Sequence, residues 1–368
     1  MHFYIYRKVV SQTNFPNVVD KTLIIFFVFM VISPILSRIN VFKDDPGITY
    51  SFTVISSLWI GFVFYFFLVN SIVDLSNVLG KLVCFVTLRK KQFVLIPQGQ
   101  LTLFSTFIAV LVICTYGYFE ALNIGVTTLT LKTPKLPKNL DKLVIAQISD
   151  LHLGILVREK RLENVITIMQ NINPDIIVST GDLVDENVDS MQGLTKLFKA
   201  INPRFGKYAV TGNHEFYAGI ELSEKFTKDS EFVLLRNQYM NVSDLMNIVG
   251  IDDPTAKFFG ENKGQDIPTL LSYCNPDLFT LLLYHQPRHF ETTTSLLPID
   301  LQLSGHTHGG QLFPFIHLTR IVYPMAKGFY EANGTKLYVS RGTGTWGPPL
   351  RFLSPPEIVV ITLEHVTR

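Results

Sequence analysis

Cysteine is scarce: the 368 residues contain 3. So few thiols cannot form a disulfide framework. Cys84 and Cys114 lie in apolar runs and Cys274 stands alone in the second half, so all read as buried or inert. An excess of one charge is lacking too, with 32 Lys and Arg against 30 Asp and Glu, a net of +2. That balance gives a nucleic-acid partner no electrostatic support, and none is expected. Internal repeats and low-complexity tracts are also missing, which excludes solenoids and compositionally biased segments. The length suits two units at about 100–200 residues per domain. Mean hydropathy is positive at +0.27, and nearly all the long apolar runs lie before residue 120.

Three stretches contain no charged residue: Thr22–Ser37, Tyr50–Val73 and Leu101–Tyr118. A helix spans a bilayer with about 17–25 mainly apolar residues, so the first qualifies narrowly, with help from its flanks. Aromatic-rich runs in succession argue against buried helices of a soluble protein, and a cleaved signal peptide would explain only the first. Leu75–Leu88 is also apolar but is interrupted by Gly80 and Lys81. It could extend the second helix, lie in the interface or form a short fourth span. The spans hold almost no ionisable residue, which excludes a transporter path.

Basic loop residues set the orientation. Arg7, Lys8 and Lys21 precede the first span, and Lys81, Arg89, Lys90 and Lys91 precede the third. Arg38 and Lys43, between the first two, are offset by Asp44 and Asp45. Three spans then leave the N-terminus in the cytoplasm and everything after residue 120 outside it; a fourth would invert this. We divide the chain into a membrane region (1–126), a linker (127–141) rich in proline and polar residues, and a soluble domain (142–368).

The soluble part repeats one order: apolar strand, polar loop, helix. Leu143–Ile148 runs into Asp150-Leu151-His152, and Arg158–Ile172 follows with apolar residues at helical spacing. Ile176–Ser179 runs into Gly181-Asp182-Leu183-Val184-Asp185, with a helix expected over Met191–Ile201. Lys207–Thr211 leads into Gly212-Asn213-His214-Glu215. Met246–Gly250 and Leu278–Tyr284 are further strands, the latter ending at His285. Asp300–Ser304 ends at Gly305-His306-Thr307-His308-Gly309-Gly310, where the glycines would let a ligand approach the backbone. Lys336–Ser340 and Ile358–Leu363 are late strands, expected in a second sheet. This is the α/β pattern, whose sites lie at the carboxyl ends of strands.

The candidates are Asp150, His152, Asp182, Asn213, His214, His285, His306 and His308. All offer nitrogen or oxygen, which suits manganese, iron or zinc at a hydrolytic site rather than a cysteine-type structural zinc. They are too many for one ion and about enough for two. Two cations repel, so a shared anionic ligand is needed, and Asp182 is the natural bridge. Metals about 3.5–4 Å apart can clamp a phosphate and activate a water without a serine or cysteine nucleophile.

In that order the motifs resemble the calcineurin-like metallophosphoesterase superfamily. The Gly309-Gly310-Gln311 extension and the Ser340-Arg341-Gly342 loop resemble its membrane-associated bacterial branch, the YaeI- and YkuE-type phosphodiesterases. The resemblance implies an α/β sandwich of two mixed sheets with helices outside, here preceded by an all-α transmembrane region. It implies two divalent transition-metal ions. One would take Asp150, His152, Asp182 and His308, the other Asp182, Asn213, His285 and His306. His214 would face the phosphate, stabilising transition-state charge or protonating the leaving oxygen.

The expected function is a membrane-anchored phosphodiesterase using metal-activated hydroxide, with its catalytic domain outside the plasma (inner) membrane. Its partners would be the lipid bilayer and a phosphoester substrate, a lipid-linked one being plausible. The rivals are a pyrophosphatase acting on a nucleotide-activated lipid, which suits a cytoplasmic domain, and a non-catalytic membrane scaffold, which should have lost ligands. Taken singly, each site residue has a plainer reading: an aspartate or asparagine after a strand forms turns, and His285 would be a cap or core residue. Asp185 and Glu215 stay turn-forming or supporting residues. His289, His317 and His365 read as surface or packing residues, Arg341 as solvated or salt-bridged, and Trp346 as packing or membrane-facing.

Overall fold

The computed structural model describes residues 1–13, 15–39, 45–88, 94–185, 193–261, 264–288, 290 and 299–366. The chain forms two compact units, Met1–Phe119 with Gly347–Leu350, and Glu120–Trp346 with Arg351–Arg368.

The N-terminal helices are α1 (His2–Gln12), α2 (Asn17–Arg38), α3 (Pro46–Leu88) and α4 (Gln100–Leu122). The last three are long and apolar enough to cross a membrane. Many of their large apolar side chains, among them Ile25, Ile55 and Leu101, are exposed, as lipid-facing residues must be. Leu75–Leu88 simply continues α3 through Gly80 and Lys81. At 43 residues the helix is about 65 Å long, roughly twice the ~30 Å hydrocarbon thickness. Asp74 closes its uncharged stretch and is neutralised locally. Lys8 pairs with it, the Tyr4 hydroxyl donates to it at 2.5 Å, and Gln98 donates at 3.1 Å. Lys43, Asp44 and Arg89–Lys91, used above for orientation, lie outside the described residues.

The second unit holds strands β1 (Gly125–Thr133), β2 (Lys142–Ile148), β3 (Ile176–Ser179), β4 (Lys207–Ala209), β5 (Val233–Leu234) and β6 (Gln238–Val242). They continue with β7 (Met246–Ile251), β8 (Phe279–Tyr284), β9 (Leu301–Ser304), β10 (Gly328–Ala332), β11 (Thr335–Val339) and β12 (Glu357–His365). The helices are α5 (Glu159–Ile172), α6 (Leu194–Lys199), α7 (Asn213–Tyr217), α8 (Ile220–Asp229), α9 (Ile267–Ser272) and α10 (Ile316–Val322). Two 6-stranded mixed sheets result, ordered β1-β12-β2-β3-β4-β5 and β10-β11-β9-β8-β7-β6.

Alternation along each strand builds the layers. Leu143 and Ile145 of β2 join Val178, Leu281, Leu283, Leu301 and Leu303 between the sheets. Ala146 and Ile148, on the other face of β2, meet Leu162, Val165 and Met169 of α5. Leu270 and Leu271 of α9 cover Val249 and Leu282 of the second sheet. Next to the strand ends Gln147 turns inward, and its amide donates to the Thr180 hydroxyl and the Ser304 carbonyl, tying the two sheets together.

Two strand expectations change. Residues 127–133 are not tether but most of β1, a strand parallel to β12. The threonine-rich sequence suits a half-exposed strand, and its partner is supplied from more than 200 residues away. Ile358–Leu363 lies in the first sheet, not the second, because β12 inserts between β1 and β2. An apolar run buried on both faces carries no label for which sheet it joins. The expected Met191–Ile201 helix is found as α6, with residues 191 and 192 outside the described set.

Candidate metal centre

Parallel strands β2, β3, β8 and β9 end at one edge, where their loops turn sharply. Asp150, His152, Asp182, His306 and His308 all have positive φ, between 50° and 71°. Left-handed backbone is costly for such residues and persists where the surroundings fix it. Here consecutive turns bring side chains from separate loops onto one centre. Gly212 and Gly305 allow the close approach. A Cβ at Gly212 would sit 2.1 Å from Asp182 Oδ1, and one at Gly305 would sit 2.2 Å from Asp150 Oδ2. The space at Gly305, read from the sequence as room for a ligand, is taken by the chain's own carboxylate.

Two donor groups result. Asp150, His152 and His308 converge in one, with the Nε2 atoms of the two histidines 3.1 Å apart and His308 Nε2 3.5 Å from Asp150 Oδ1. Asp182, His285 and His306 converge in the other, joined by Asn213, whose Oδ1 lies 3.0 Å from His306 Nδ1 and 3.3 Å from His285 Nε2. Asp182 faces both. Its Oδ2 is 3.7 Å from His152 Nε2 and 3.2 Å from His285 Nε2, while its Oδ1 accepts the His214 backbone N–H at 2.9 Å. All eight candidates from the sequence meet here.

Neighbouring groups hold these side chains in place. The Glu215 carboxylate accepts backbone N–H groups of Gly212, Asp182, Leu183 and Val184, locking two motif loops together. His285 Nδ1 lies 2.8 Å from the Thr180 carbonyl, which turns its Nε2 toward the centre. His306 Nε2 meets the Tyr323 hydroxyl at 2.9 Å, leaving Nδ1 inward. Asp185 Oδ1 lies 2.7 Å from His214 Nδ1 and 3.6 Å from His152 Nδ1.

Burial and charge set the protonation. Burial opposes charge on Asp182, but His285, His214 and His152 outweigh it and hold the carboxyl well below its usual range. Burial also opposes the charged form of His285, yet Asp182 raises this imidazole well above its ordinary value. Burial pushes Asp150 up, and the charge on Asp182 adds to the rise. Burial and then the positive His285 take His306 down to about 3. Burial, His152 and Arg351 push His308 well down as well. His214 goes the other way: burial resists, but Asp182, Asp185 and Glu215 lift it to about 9.

This donor set fits divalent transition ions. Neutral His306 and His308 and an ionised Asp182 are already in ligating form, and a metal would displace the proton that Asp182 favours on His285. Ring nitrogens of paired histidines facing one another 3.1 and 3.2 Å apart are placed to share a cation. No thiolate is involved.

Other residues fall elsewhere. His317 is exposed against Phe313, and His365 bonds the Leu136 carbonyl; His289 lies outside the described residues. Arg341 is paired with Glu357 at 2.6 Å. Trp346 packs against the ring of His214, 5.7 Å between centroids. Sequence reasoning missed Tyr323 and Arg351. Arg351 is fully buried, and its guanidinium donates to carbonyls of Gly344, His308, Arg341 and Ser354, with Nη2 3.2 Å from His308 Nδ1. Neither residue sits at a motif spacing; only the folded loops bring them here.

Nitrogen and carboxylate donors gathered around one shared oxygen, at the ends of parallel strands, define a metal-dependent α/β hydrolase. Residues 143–310 match the family described as calcineurin-like phosphoesterase. A metallophosphoesterase of Aquifex aeolicus is 38% identical over 261 residues, covering 70% of this chain and 98% of that protein. The metallophosphoesterase YkuE of Bacillus subtilis is 35% identical over 263 residues, 68% of this chain and 90% of its own. A transmembrane protein with metallophosphoesterase domain from Danio rerio is 33% identical over 265 residues, 69% of this chain and 61% of its own. The chain belongs to the calcineurin-like metallophosphoesterase family, hydrolases of phosphoesters whose members typically bind two divalent metal ions. Its apolar helices and its transmembrane relatives make it membrane-associated.

Proposed function

We propose that this protein is a membrane-anchored phosphodiesterase whose catalytic domain lies outside the cytoplasm and acts on a phosphoester at the plasma membrane. The supporting observation is the single Asp182 oxygen that faces both donor groups. Asp150, His152 and His308 would hold one ion, Asn213, His285 and His306 the other, with Asp182 shared. Divalent transition metals bound there supply Lewis acidity toward phosphoryl oxygens and water.

The chain's own residues supply the rest. Asp182, Asp185 and Glu215 raise His214, which favours its acid form, and Asp185 Oδ1 lies 2.7 Å from Nδ1. Nε2 is then the nitrogen that donates a proton to the leaving oxygen. The Trp346 ring packs edge-on against His214 on that side, 5.7 Å between centroids.

The test is a panel assay of purified protein with Mn²⁺, Zn²⁺ and Fe²⁺ and aryl phosphate monoester and diester reporters. Wild type should favour the diester. Asp182→Asn and His214→Ala should each lower turnover by roughly a hundredfold or more. Full activity in Asp182→Asn would refute the bridging role. Reporter fusions after Lys91 and at Arg368 should report opposite sides of the membrane. A cytoplasmic C-terminus would instead favour hydrolysis of a nucleotide-activated lipid pyrophosphate.

A further inference from the structure

Helix α10 presents an apolar face to solvent beside the metal centre. Ile316 is buried and anchors the helix, whereas Leu318, Ile321 and Val322 are 57%, 77% and 65% exposed. Three neighbouring aliphatic side chains on one short helix form the kind of exposed patch that marks an interaction surface. The next residue is Tyr323, whose hydroxyl lies 2.9 Å from His306 Nε2 and 3.0 Å from Gln286 Oε1. The patch therefore ends one residue from a contact to a candidate ligand. Arg288 and Arg320 at its edge are exposed, and Arg288 donates to the Tyr323 hydroxyl at 3.0 Å.

What covers this face follows from its connection to α4. The final residues of that membrane-crossing helix, Glu120, Ala121 and Leu122, belong to the C-terminal unit. Glu120 accepts the Leu353 backbone N–H at 2.9 Å, and the neighbouring Phe352 carbonyl accepts the N–H of Phe313, which leads into α10. Gly125, opening β1, donates to the Pro356 carbonyl. One hydrogen-bonded path therefore joins the end of the span to the segment carrying the patch, and Leu353 on that path is also exposed, at 54%. An apolar helical face with cationic flanks is the composition that settles into the headgroup and acyl boundary of a bilayer.

We propose that Leu318, Ile321 and Val322 form an interfacial foot that enters the bilayer beside the end of α4, so that the metal centre takes its phosphoester from the headgroup of an anionic membrane lipid. The lipid-insertion part stands alone, and the substrate part rests on the phosphodiesterase reading. Acyl chains remain in the membrane while the headgroup ester reaches the centre past Tyr323. Arg288 and Arg320 favour the anionic surface.

The experiment uses the full chain, with Cys84, Cys114 and Cys274 changed to alanine, in vesicles containing anionic phospholipid. An environment-sensitive fluorophore is placed at Ile321→Cys or at Asp277→Cys. Asp277 is exposed and precedes β8, at the end of the strands remote from the site. The Ile321 probe should emit to the blue and be quenched by lipids brominated in the acyl chain; the Asp277 probe should do neither. A water-like Ile321 probe overturns the proposal. So does one that is shielded but unquenched, which would mean a protein covers the face.

In parallel, the combined Leu318→Glu, Ile321→Glu, Val322→Glu variant is assayed on a vesicle-borne lipid phosphodiester and on a soluble aryl diester. Its ratio of lipid to soluble turnover should fall by roughly tenfold or more relative to wild type. An unchanged ratio overturns the substrate part. Wild type inactive on both reporters removes the phosphodiesterase reading, while the probe result still decides insertion.

Discussion

Replacing Arg351 by lysine keeps a cation in the same fully buried place but removes the fork. An ammonium is more strongly hydrated than a guanidinium, so its burial cost adds to the loss of donors. In the native protein Nε and Nη2 reach the Gly344 carbonyl at 3.0 and 2.6 Å. Nη1 reaches the carbonyls of Arg341, Ser354 and His308 at 2.6, 3.1 and 3.3 Å. The His308 carbonyl keeps other donors, Ser354 Oγ and the Gln311 N–H. A lysine ammonium is a single point. It cannot serve Gly344 on one side and both Arg341 and Ser354 on the other, so one or two buried carbonyls lose their donor. At about 1–3 kcal/mol each, the expected loss is about 2–4 kcal/mol. With about 2–4 °C per kcal/mol for a unit of this size, the apparent melting temperature should fall by roughly 5–15 °C. The protein has 2 tryptophans, so a Trp59→Phe background leaves Trp346 as the reporter beside the affected loops. Arg351→Met, which also removes the charge, completes the comparison. A lysine variant melting within about 2 °C of wild type would show that charge alone, not the fork, matters.

Asp185→Asn removes the carboxylate that supports a protonated His214, which stands at about 9. A raised imidazole pKa means the acid form is kept through neutral pH and lost as pH rises through 9. The variant should lose activity at lower pH, so the alkaline limb of its kcat/KM profile moves toward neutrality; an unmoved limb would show that Asp185 does not support the proton on His214. Gly212→Ala would drive a Cβ against Asp182 Oδ1 at 2.1 Å and its backbone nitrogen at 2.6 Å. The carboxylate can turn away but the backbone cannot, so we expect about 1–3 kcal/mol of destabilisation and a lower metal content by elemental analysis. Normal metal content would show that Asp182 tolerates the displacement.

The donors themselves were legible in the sequence because each motif follows an apolar run that can only be a buried strand, and strand ends at one edge of a sheet must converge. The same logic identified β2, β3, β7, β8 and β9 within a residue or two. It failed for 127–133, where alternating threonine and leucine reads equally as a polar linker or an edge strand. It failed too for the sheet that receives β12, since pairing partners are chosen across the fold. The supporting residues were hidden for a different reason. Arg351 reads as an ordinary arginine among prolines and Tyr323 as a turn tyrosine, and nothing local says that one is wholly buried or that the other touches His306.

Residue type and order thus determined the donor set, its nitrogen and oxygen chemistry, and the apolar helices that lead into it, because ligand identity and hydropathy are properties of single residues and short windows. Only the tertiary structure decided that one Asp182 oxygen faces both groups, that five site residues take left-handed backbone, and that the exposed face of α10 ends against His306. Those depend on distances between loops up to 156 residues apart, which packing of two sheets sets and no stretch of sequence encodes by itself.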